Sequence, residues 1–258
     1  MDLQLANKNA LITGSTKGIG YAIAEVLAKE GANVIVNGRS EQSTADAAKA
    51  IGNGARGIAA DLSTAAGCDK LLQEAGQVDI LINNAGIFEP KPFVEIPDED
   101  WERFYQINVM SGVRLTRSVL PGMLERNWGR ILFVSSESGV QIPSEMVHYG
   151  MTKAANISLV NGVARLTKGT HVTVNAILPG PTASEGVSDF VGNLAEDANQ
   201  SKEEFEKEFF QTARPTSLIQ RFAEVEEVAN TTAYYCSPLS SATNGAAIRV
   251  DGGVILGT

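Results

Sequence analysis

The stretch ALITGSTKGIG, residues 10–20, joins a short apolar run to a glycine-rich turn and then to a helix-like pattern. Ala10–Thr13 predicts a buried strand, and Ile19–Glu30 has the apolar spacing of an amphipathic helix. Glycines let the turn bend tightly and bring its backbone close to a phosphate, and the helix N-terminus attracts negative charge. The stretch therefore indicates a phosphate-binding βα unit, although the spacing Gly-x-x-x-Gly-x-Gly also fits a plain tight turn.

Strand-like and helical stretches continue to alternate along the chain. Further strands are predicted at Asn33–Val36, Ala55–Ala59, Val78–Ile82, Arg130–Val134, Val172–Leu178 and Ala246–Val250. Helical patterns lie between them at Glu41–Ile51, Ala65–Ala75, Asp98–Arg126, Tyr149–Thr167 and Glu224–Cys236. This alternation favours a parallel sheet with helices on both faces. Residues 180–220 interrupt the pattern with a polar helix-like run, Lys202–Gln211. We expect this insertion to cover a ligand, and the alternative is an ordinary surface excursion.

The composition predicts one globular α/β domain over residues 1–258. The chain is 43 % hydrophobic and carries a formal net charge of -9, which argues against a nucleic-acid or anionic-membrane partner. Its two cysteines and two histidines form no metal-ligand pattern, so no metal is expected. No apolar run approaches the ~20 residues that span a bilayer, and no signal peptide is recognisable, so we expect a cytoplasmic protein.

A second motif, YGMTK at residues 149–153, places Tyr149 and Lys153 about one helical turn apart, on one face of a helix. A phenol has a reference pKa of about 10, and a neighbouring cation lowers it. Such a tyrosine can pass a proton to or from a substrate oxygen. Ser136 lies thirteen residues upstream of this tyrosine. The spacing alone also fits a surface helix with an unrelated Tyr and Lys.

Together these motifs resemble the short-chain dehydrogenase/reductase family over nearly the whole chain. The matching segments are Thr13–Gly20, Asn83-Asn84-Ala85-Gly86, Ser136 with Tyr149 and Lys153, Pro179-Gly180, and Val250-Asp251-Gly252-Gly253. The resemblance implies a single-domain, Rossmann-type doubly wound sheet of seven parallel strands, and the insertion is expected to form a substrate lid at about residues 184–222. It also implies a nicotinamide cofactor and hydride transfer between a carbonyl and an alcohol. Within the family the chain is similar to 3-oxoacyl-carrier-protein reductases, although no feature of the sequence requires an acyl carrier.

The resemblance implies four residues of the reaction centre. Tyr149 would act as general acid or base, and Ser136 would donate a hydrogen bond to the substrate oxygen. Lys153 would lower the pKa of Tyr149 and hold the nicotinamide ribose. Asn108 is similar to an asparagine that bends its helix and holds a proton-relay water, but it also fits an ordinary polar residue inside a helix.

Three other ionisable residues lie close to this motif in the sequence. His148 adjoins the tyrosine, but helical geometry turns it about 100° away. Glu137 and Glu145 lie on the loop before the helix, where we expect solvated carboxylates rather than substrate contacts.

Cofactor contacts follow from the same resemblance. The residues assigned to cofactor binding are Gly14, Ser15, Lys17, Gly18, Ile19, Gly20, Arg39, Asp61, Leu62, Asn83, Ala85, Gly86, Tyr149, Lys153, Pro179, Gly180, Thr182 and Ser184. For Asn83, a structural role in tying strands together is an equal alternative. The second predicted strand is followed by Arg39 and not by the acidic residue that binds the ribose of NAD. Since Arg39 and Lys17 suit a 2′-phosphate, we predict NADP(H), with NAD(H) as the alternative if both cations are only solvated.

We therefore predict an NADP(H)-dependent oxidoreductase that acts on a small carbonyl or alcohol. The alternatives are an NAD-linked alcohol dehydrogenase, a non-catalytic nucleotide-binding scaffold, and a sugar-nucleotide epimerase or dehydratase, whose relatives are longer. Family members are commonly homotetramers, so a homotetramer or homodimer is expected.

Overall fold

Strands and helices alternate as the sequence pattern predicts. The computed structural model describes residues 1–184 and 201–257. The strands are β1 (Asn9–Ile12), β2 (Asn33–Gly38), β3 (Arg56–Ala59), β4 (Ile80–Asn83), β5 (Gly129–Val134), β6 (Val172–Pro179) and β7 (Ala247–Val250). The α-helices are α1 (Gly18–Lys29), α2 (Glu41–Ile51), α3 (Ala65–Ala75), α4 (Asp98–Tyr105), α5 (Ser111–Glu125), α6 (Val147–Arg165), α7 (Lys202–Thr212) and α8 (Val225–Cys236). Among these described helices, none has both the length and the apolar character needed to cross a bilayer.

The seven strands of the described residues form one parallel sheet in the order β3-β2-β1-β4-β5-β6-β7. Leu11 of β1 pairs with Ile35 on one side and with Leu81 on the other. This order confirms the predicted doubly wound sheet. Because the strand order reverses between β1 and β4, the loops that follow these two strands diverge and open a crevice at the carboxyl edge of the sheet.

Two apolar cores hold the helices against the sheet, because successive strand residues point to opposite faces. Ala10 and Ile12 pack on the face that α1, α2 and α8 cover, whereas Leu11 packs on the face that α3, α5 and α6 cover. Leu27 of α1 and Leu71 of α3 are completely buried. Burying one such side chain stabilises the fold by about 1.5–3 kcal/mol. These cores fix the helices, and with them the loops at the crevice.

The chain between residues 98 and 126 is less regular than the single helix that we predicted. Helices α4 and α5 are joined by a wider π-helical turn, Gln106–Met110. This turn has i→i+5 hydrogen bonding and is frequent at functional sites. It places Asn108 against α6, where the Asn156 side-chain amide donates to the Asn108 carbonyl at 3.0 Å. The predicted range is helical almost throughout, but it is not one regular α-helix. Helix propensity does not reveal a single π-helical turn inside a long helical stretch.

Helix α7 forms in the predicted insertion and matches the predicted polar helical run. It begins with a capping box, in which the Ser201 hydroxyl accepts from Glu204 N at 3.2 Å and the Glu204 carboxylate accepts from Ser201 N at 2.9 Å. Its inner face packs aromatic rings, with Phe209 stacked on Phe222 at 5.2 Å between centroids. Residues 185–200 of the predicted lid lie outside the described residues.

Candidate active site

The glycine-rich turn after β1 is built for close backbone approach. Gly14 and Gly18 have φ values of +59° and +60°, which side-chain-bearing residues rarely adopt. A Cβ on Gly14 would lie 2.9 Å from Ala85 Cα, so the turn also requires glycine for space. Helix α1 begins directly after this turn, and its N-cap residue, Lys17, makes no side-chain cap. The turn therefore fits the phosphates of a dinucleotide.

Side chains after β1 and β4 lock the two loops of the crevice together. The Asn84 amide donates to Thr13 O at 3.0 Å and to Gly14 O at 2.9 Å. The Thr13 hydroxyl accepts from Asn84 N and Ala85 N, both at 2.9 Å. Thr13 and Asn84 were not assigned as site residues, because their role depends on loops that are 70 residues apart in the sequence. They hold the turn in the shape that a phosphate requires.

A cleft of about 670 Å³ opens at the carboxyl edge of the sheet. The predicted site residues that line it are Gly14, Lys17, Gly18, Ile19, Gly20, Gly86, Ser136, Tyr149, Lys153, Pro179, Gly180, Thr182 and Ser184. The loop after β5 and helix α7 also contribute residues to the lining. The fold therefore brings the two sequence motifs, the glycine-rich turn and YGMTK, into one cavity.

The other predicted residues lie outside the lining of this cleft. Arg39 is exposed, and neither it nor Lys17 has an ion pair within residues 1–184 and 201–257. Asp61 is exposed and accepts from Ser63 N at 3.0 Å, while Leu62 is buried in the core beside α3. Ser15, Asn83, Ala85 and Asn108 lie behind the cleft and support its walls.

Asn83 and Ser15 illustrate this support. The buried Asn83 amide donates to Thr116 Oγ1 on α5 at 3.2 Å, which agrees with the structural alternative for this residue. The Ser15 hydroxyl donates to Ile12 O at 2.6 Å and accepts from Asn37 N at 3.1 Å. These bonds tie the glycine-rich turn to the end of β2.

Tyr149 and Lys153 lie on the same face of α6, as their spacing predicts. Lys153 Nζ is 5.5 Å from the centroid of the Tyr149 ring and donates to Val134 O at 2.9 Å. The lysine is buried, and its backbone carbonyl accepts from Ser135 Oγ at 2.8 Å. The Ser136 side chain lies beside them at the end of β5 and also lines the cleft.

The pKa of Tyr149 is raised above 10, which is opposite to the lowering that we expected from Lys153. Burial is the largest cause, the Glu137 carboxylate adds to it, and a hydrogen bond with Ser136 opposes it. Burial also lowers the pKa of Lys153 to about 8, while Glu137 opposes this shift. Desolvation therefore dominates the shift of the Tyr149 pKa, and the phenol keeps its proton at neutral pH.

Both N–H groups of the Asn108 side-chain amide, and one acceptor position of its oxygen, are used in hydrogen bonds. Its Oδ1 accepts from Ile87 N at 2.8 Å, and its Nδ2 donates to Ile87 O at 2.9 Å and to Thr152 Oγ1 at 3.1 Å. These bonds connect the π-helical turn, the loop after β4 and helix α6. Asn108 thus braces the helix that carries Tyr149 and Lys153.

Glu137 is not the solvated carboxylate that we expected from the sequence. Only 4 % of it is exposed, and its Oε1 lies 3.2 Å from Arg214 Nε, just beyond α7. The expected solvation holds only for Glu145, whose side chain is 46 % exposed and lies 3.1 Å from Arg214 Nη1. A separation of 77 residues leaves no local signal for the buried pair.

His148 points away from the cleft, as helical geometry predicts. Its ring packs on Phe104 at 4.1 Å and on Trp101 at 5.9 Å between centroids. Both ring nitrogens are buried without a hydrogen-bond partner in the described part of the chain, and burial lowers the pKa of the imidazole. A role as base for the neighbouring tyrosine is therefore not supported by the geometry.

The chain belongs to the short-chain dehydrogenase family, whose model matches residues 8–195, and it is an oxidoreductase. It is 50 % identical to YvrD of Bacillus subtilis (strain 168), described as an uncharacterized oxidoreductase, across 99 % of both chains. It is 34 % identical to the 3-oxoacyl-[acyl-carrier-protein] reductase FabG of Aquifex aeolicus, across 98 % of this chain and 100 % of the relative. Its fold is similar to that of L-sorbose reductase from Gluconobacter frateurii in complex with NADPH and L-sorbose. That comparison has a TM-score of 0.94 and 32 % identity and covers 100 % of both chains.

Proposed function

We propose that the protein is an NADP(H)-dependent oxidoreductase that interconverts a ketone and a secondary alcohol. The observation that carries this proposal is that Ser136, Tyr149 and Lys153 line the same cleft as the glycine-rich turn. The positive-φ glycines and the uncapped start of α1 suit the pyrophosphate of a dinucleotide. A bound reduced nicotinamide supplies the hydride that reduces the carbonyl carbon.

In the proposed reaction the protein supplies the proton and holds the substrate oxygen. Tyr149 donates its phenolic proton to that oxygen as negative charge develops on it. Ser136 donates a second hydrogen bond to the same oxygen. The Lys153 ammonium, 5.5 Å from the phenol ring, stabilises the phenolate that remains, and solvent then restores the proton. Asn108 positions α6 and does not contact the reacting atoms.

Charge and space at the end of β2 support NADP(H) over NAD(H). Exposed Arg39 and Lys17 have no ion pair in the described ranges, so both are available to a 2′-phosphate. The last residue of β2 is Gly38, where an added Cβ would lie 2.6 Å from Thr16 Cγ2, so this position does not accommodate a carboxylate. The similar L-sorbose reductase structure contains NADPH. NAD(H) is the alternative that a direct comparison of the two cofactors tests.

We also propose a single domain in which α7 and the residues that follow it, 213–222, form the described part of the substrate lid. Homotetramer or homodimer assembly in the cytoplasm is proposed by analogy with the family. Exposed apolar side chains on the helices that commonly form the family interface support this assembly. Tyr105 of α4 is 42 % exposed, and Leu166, directly after α6, is 65 % exposed. Light scattering tests this proposal, and a monomer at micromolar concentration contradicts it.

A substrate screen that follows NADPH absorbance tests the proposed function. The panel contains a simple ketone, a hydroxy ketone, an aldehyde and a 3-oxoacyl thioester, each assayed with NADPH and with NADH, and a secondary alcohol assayed with NADP and with NAD. We expect NADPH-dependent reduction of at least one ketone. Tight NADPH binding without turnover of any carbonyl would instead indicate a nucleotide-binding scaffold. Faster alcohol oxidation with NAD would indicate the NAD-linked alternative.

A further inference from the structure

A buried carboxylate lies between the catalytic serine and the lid. The Ser136 hydroxyl donates to Glu137 Oε2 at 2.5 Å, and the Ser138 hydroxyl donates to Glu137 Oε1 at 3.1 Å. Arg214 Nε donates to the same Oε1 at 3.2 Å. Glu137 and Arg214 are 4 % and 8 % exposed, and both line the cleft. The charge of Glu137 is therefore held at the reaction centre by a residue of the lid.

The hydrogen bonds of Glu137 conflict with the proposed role of Ser136. A serine hydroxyl has a single proton, so Ser136 cannot donate to a carbonyl oxygen while it donates to Glu137. When Ser136 turns to the substrate, Oε2 loses its donor. An ionised carboxylate offers about four acceptor positions, and leaving a buried one short of donors is costly. A substrate that brings its own donor removes this cost.

We propose that Glu137 is a specificity-determining residue that accepts a hydrogen bond from a substrate hydroxyl. This inference rests on the proposed ketone reduction. The hydroxyl belongs on the carbon next to the carbonyl, and the substrate is an uncharged α-hydroxy ketone. Ser136 Oγ and Glu137 Oε2 are only 2.5 Å apart. A hydroxyl on the carbon next to the carbonyl can therefore reach Oε2 while the carbonyl oxygen accepts from Ser136, because oxygens on adjoining carbons also lie close together.

Carboxylates in the lining of the cleft disfavour an anionic substrate. Three carboxylates among the described lining residues, Glu137, Glu145 and Glu208, face the substrate side of the cleft. The guanidinium of Arg214 already donates to two of these carboxylates, Glu137 and Glu145, and to Ala213 O. A substrate carboxylate on this side would meet like charges, while the Lys153 ammonium is assigned to the phenolate and the nicotinamide ribose. The L-sorbose in the complex of the structurally similar reductase is an uncharged hydroxy ketone, in keeping with this class.

A matched pair of ketones tests the role of Glu137. Hydroxyacetone and 2-butanone have the same shape and differ only in a hydroxyl against a methyl group next to the carbonyl. We expect wild-type kcat/KM to be at least about tenfold higher for hydroxyacetone, because the analogue leaves a buried polar group unpaired. Glu137→Gln should lower this ratio about tenfold, while the NADPH Kd stays within twofold. Glu145→Gln neutralises the other carboxylate that contacts Arg214, and it should leave the ratio of the two kcat/KM values unchanged.

Each remaining outcome has a defined meaning. If Glu137→Gln lowers kcat/KM equally for both ketones, Glu137 only orients Ser136 and the inference is wrong. Equal wild-type efficiency with both ketones, or faster reduction of acetoacetate than of hydroxyacetone, also overturns it while leaving the ketone reductase intact. If none of the carbonyl compounds supports NADPH oxidation by the wild-type protein, the proposed function itself fails. The double variant Glu137→Gln with Arg214→Gln removes both charges of the pair, and it must show the same loss of ratio if the single variant does not fold.

Discussion

Lys153 Nζ donates its hydrogen bond to Val134 O, and Tyr149 lies 5.5 Å from it, measured to the ring centroid. One N–H of the ammonium is therefore directed at the end of β5, and the positive charge stays close to the phenol ring. Burial, followed by the Glu137 carboxylate, raises the pKa of Tyr149. Lys153 is also a buried cation that the fold must tolerate at neutral pH.

The lowered pKa of Lys153 makes stability depend on pH. The folded pKa is about 8 and the ordinary value is 10.5, so between these values the unfolded chain binds the extra proton. The free energy of unfolding should therefore rise from pH 8 towards about pH 10, above which the raised pKa of Tyr149 opposes it. Urea unfolding of wild type and Lys153→Met across this range checks the prediction. A slope that persists in the variant would assign the effect to other groups.

Arg39 should determine the preference between NADPH and NADH. Arg39→Asp replaces a phosphate-binding cation with a carboxylate, and we expect the NADPH Kd to rise about 10- to 100-fold while NADH binding improves. Lys49→Asp makes the same charge change in the last turn of α2 and serves as the control. Fluorescence titration of both cofactors provides the measurement. An unchanged preference in Arg39→Asp contradicts the NADP(H) proposal.

Two glycines should respond oppositely to alanine. Gly14→Ala forces a side chain into φ +59° and within 2.9 Å of Ala85 Cα, so we expect lost dinucleotide binding and lower stability. Gly162→Ala lies inside α6 with no atom within 4 Å of the added Cβ. It should raise the free energy of unfolding by about 0.5–1 kcal/mol. Thermal unfolding with and without NADPH measures both effects, and equal tolerance of the two changes would count against the proposed cradle.

His148 should affect stability and not catalysis. Its pKa is lowered from 6.5 by burial, so the unfolded chain binds more protons as the pH falls below 6.5, and the folded state loses stability there. His148→Leu should reduce this acid-side loss while keeping kcat within about twofold. Unfolding at pH 5 and 7, together with steady-state kinetics, provides the check. A large fall in kcat would mean that the imidazole takes part in proton transfer.

The fold was predictable because its signals are local and repeated. Each strand is an apolar run and each helix has the 3.6-residue period, so a strict βα alternation leaves a parallel sheet as the consistent solution. The glycine-rich turn and the Tyr149–Lys153 spacing are also local. The glycine-rich turn and the start of α6 come together only because β1, β4 and β5 end at one edge of the sheet.

The remaining features depend on long-range contacts. Arg214 reaches Glu137 across 77 residues, and the burial of this pair depends on how α7 packs on the body. The direction of the Tyr149 pKa shift could not be predicted for the same reason, since desolvation is a property of the assembled cleft. Asp61 and Leu62 are the opposite case. Their sequence motif is local and recognisable, but neither residue lies in the lining of the cleft.

Replacing Tyr149 with phenylalanine tests the central claim most directly. The change removes one hydroxyl, which is the proposed proton donor, and leaves the ring that packs near Phe88 with centroids 6.3 Å apart. We predict that kcat for ketone reduction falls by at least about 100-fold, since general acid catalysis contributes about 10²–10⁴-fold, while the NADPH Kd changes less than threefold. Near-normal turnover by Tyr149→Phe would contradict the account.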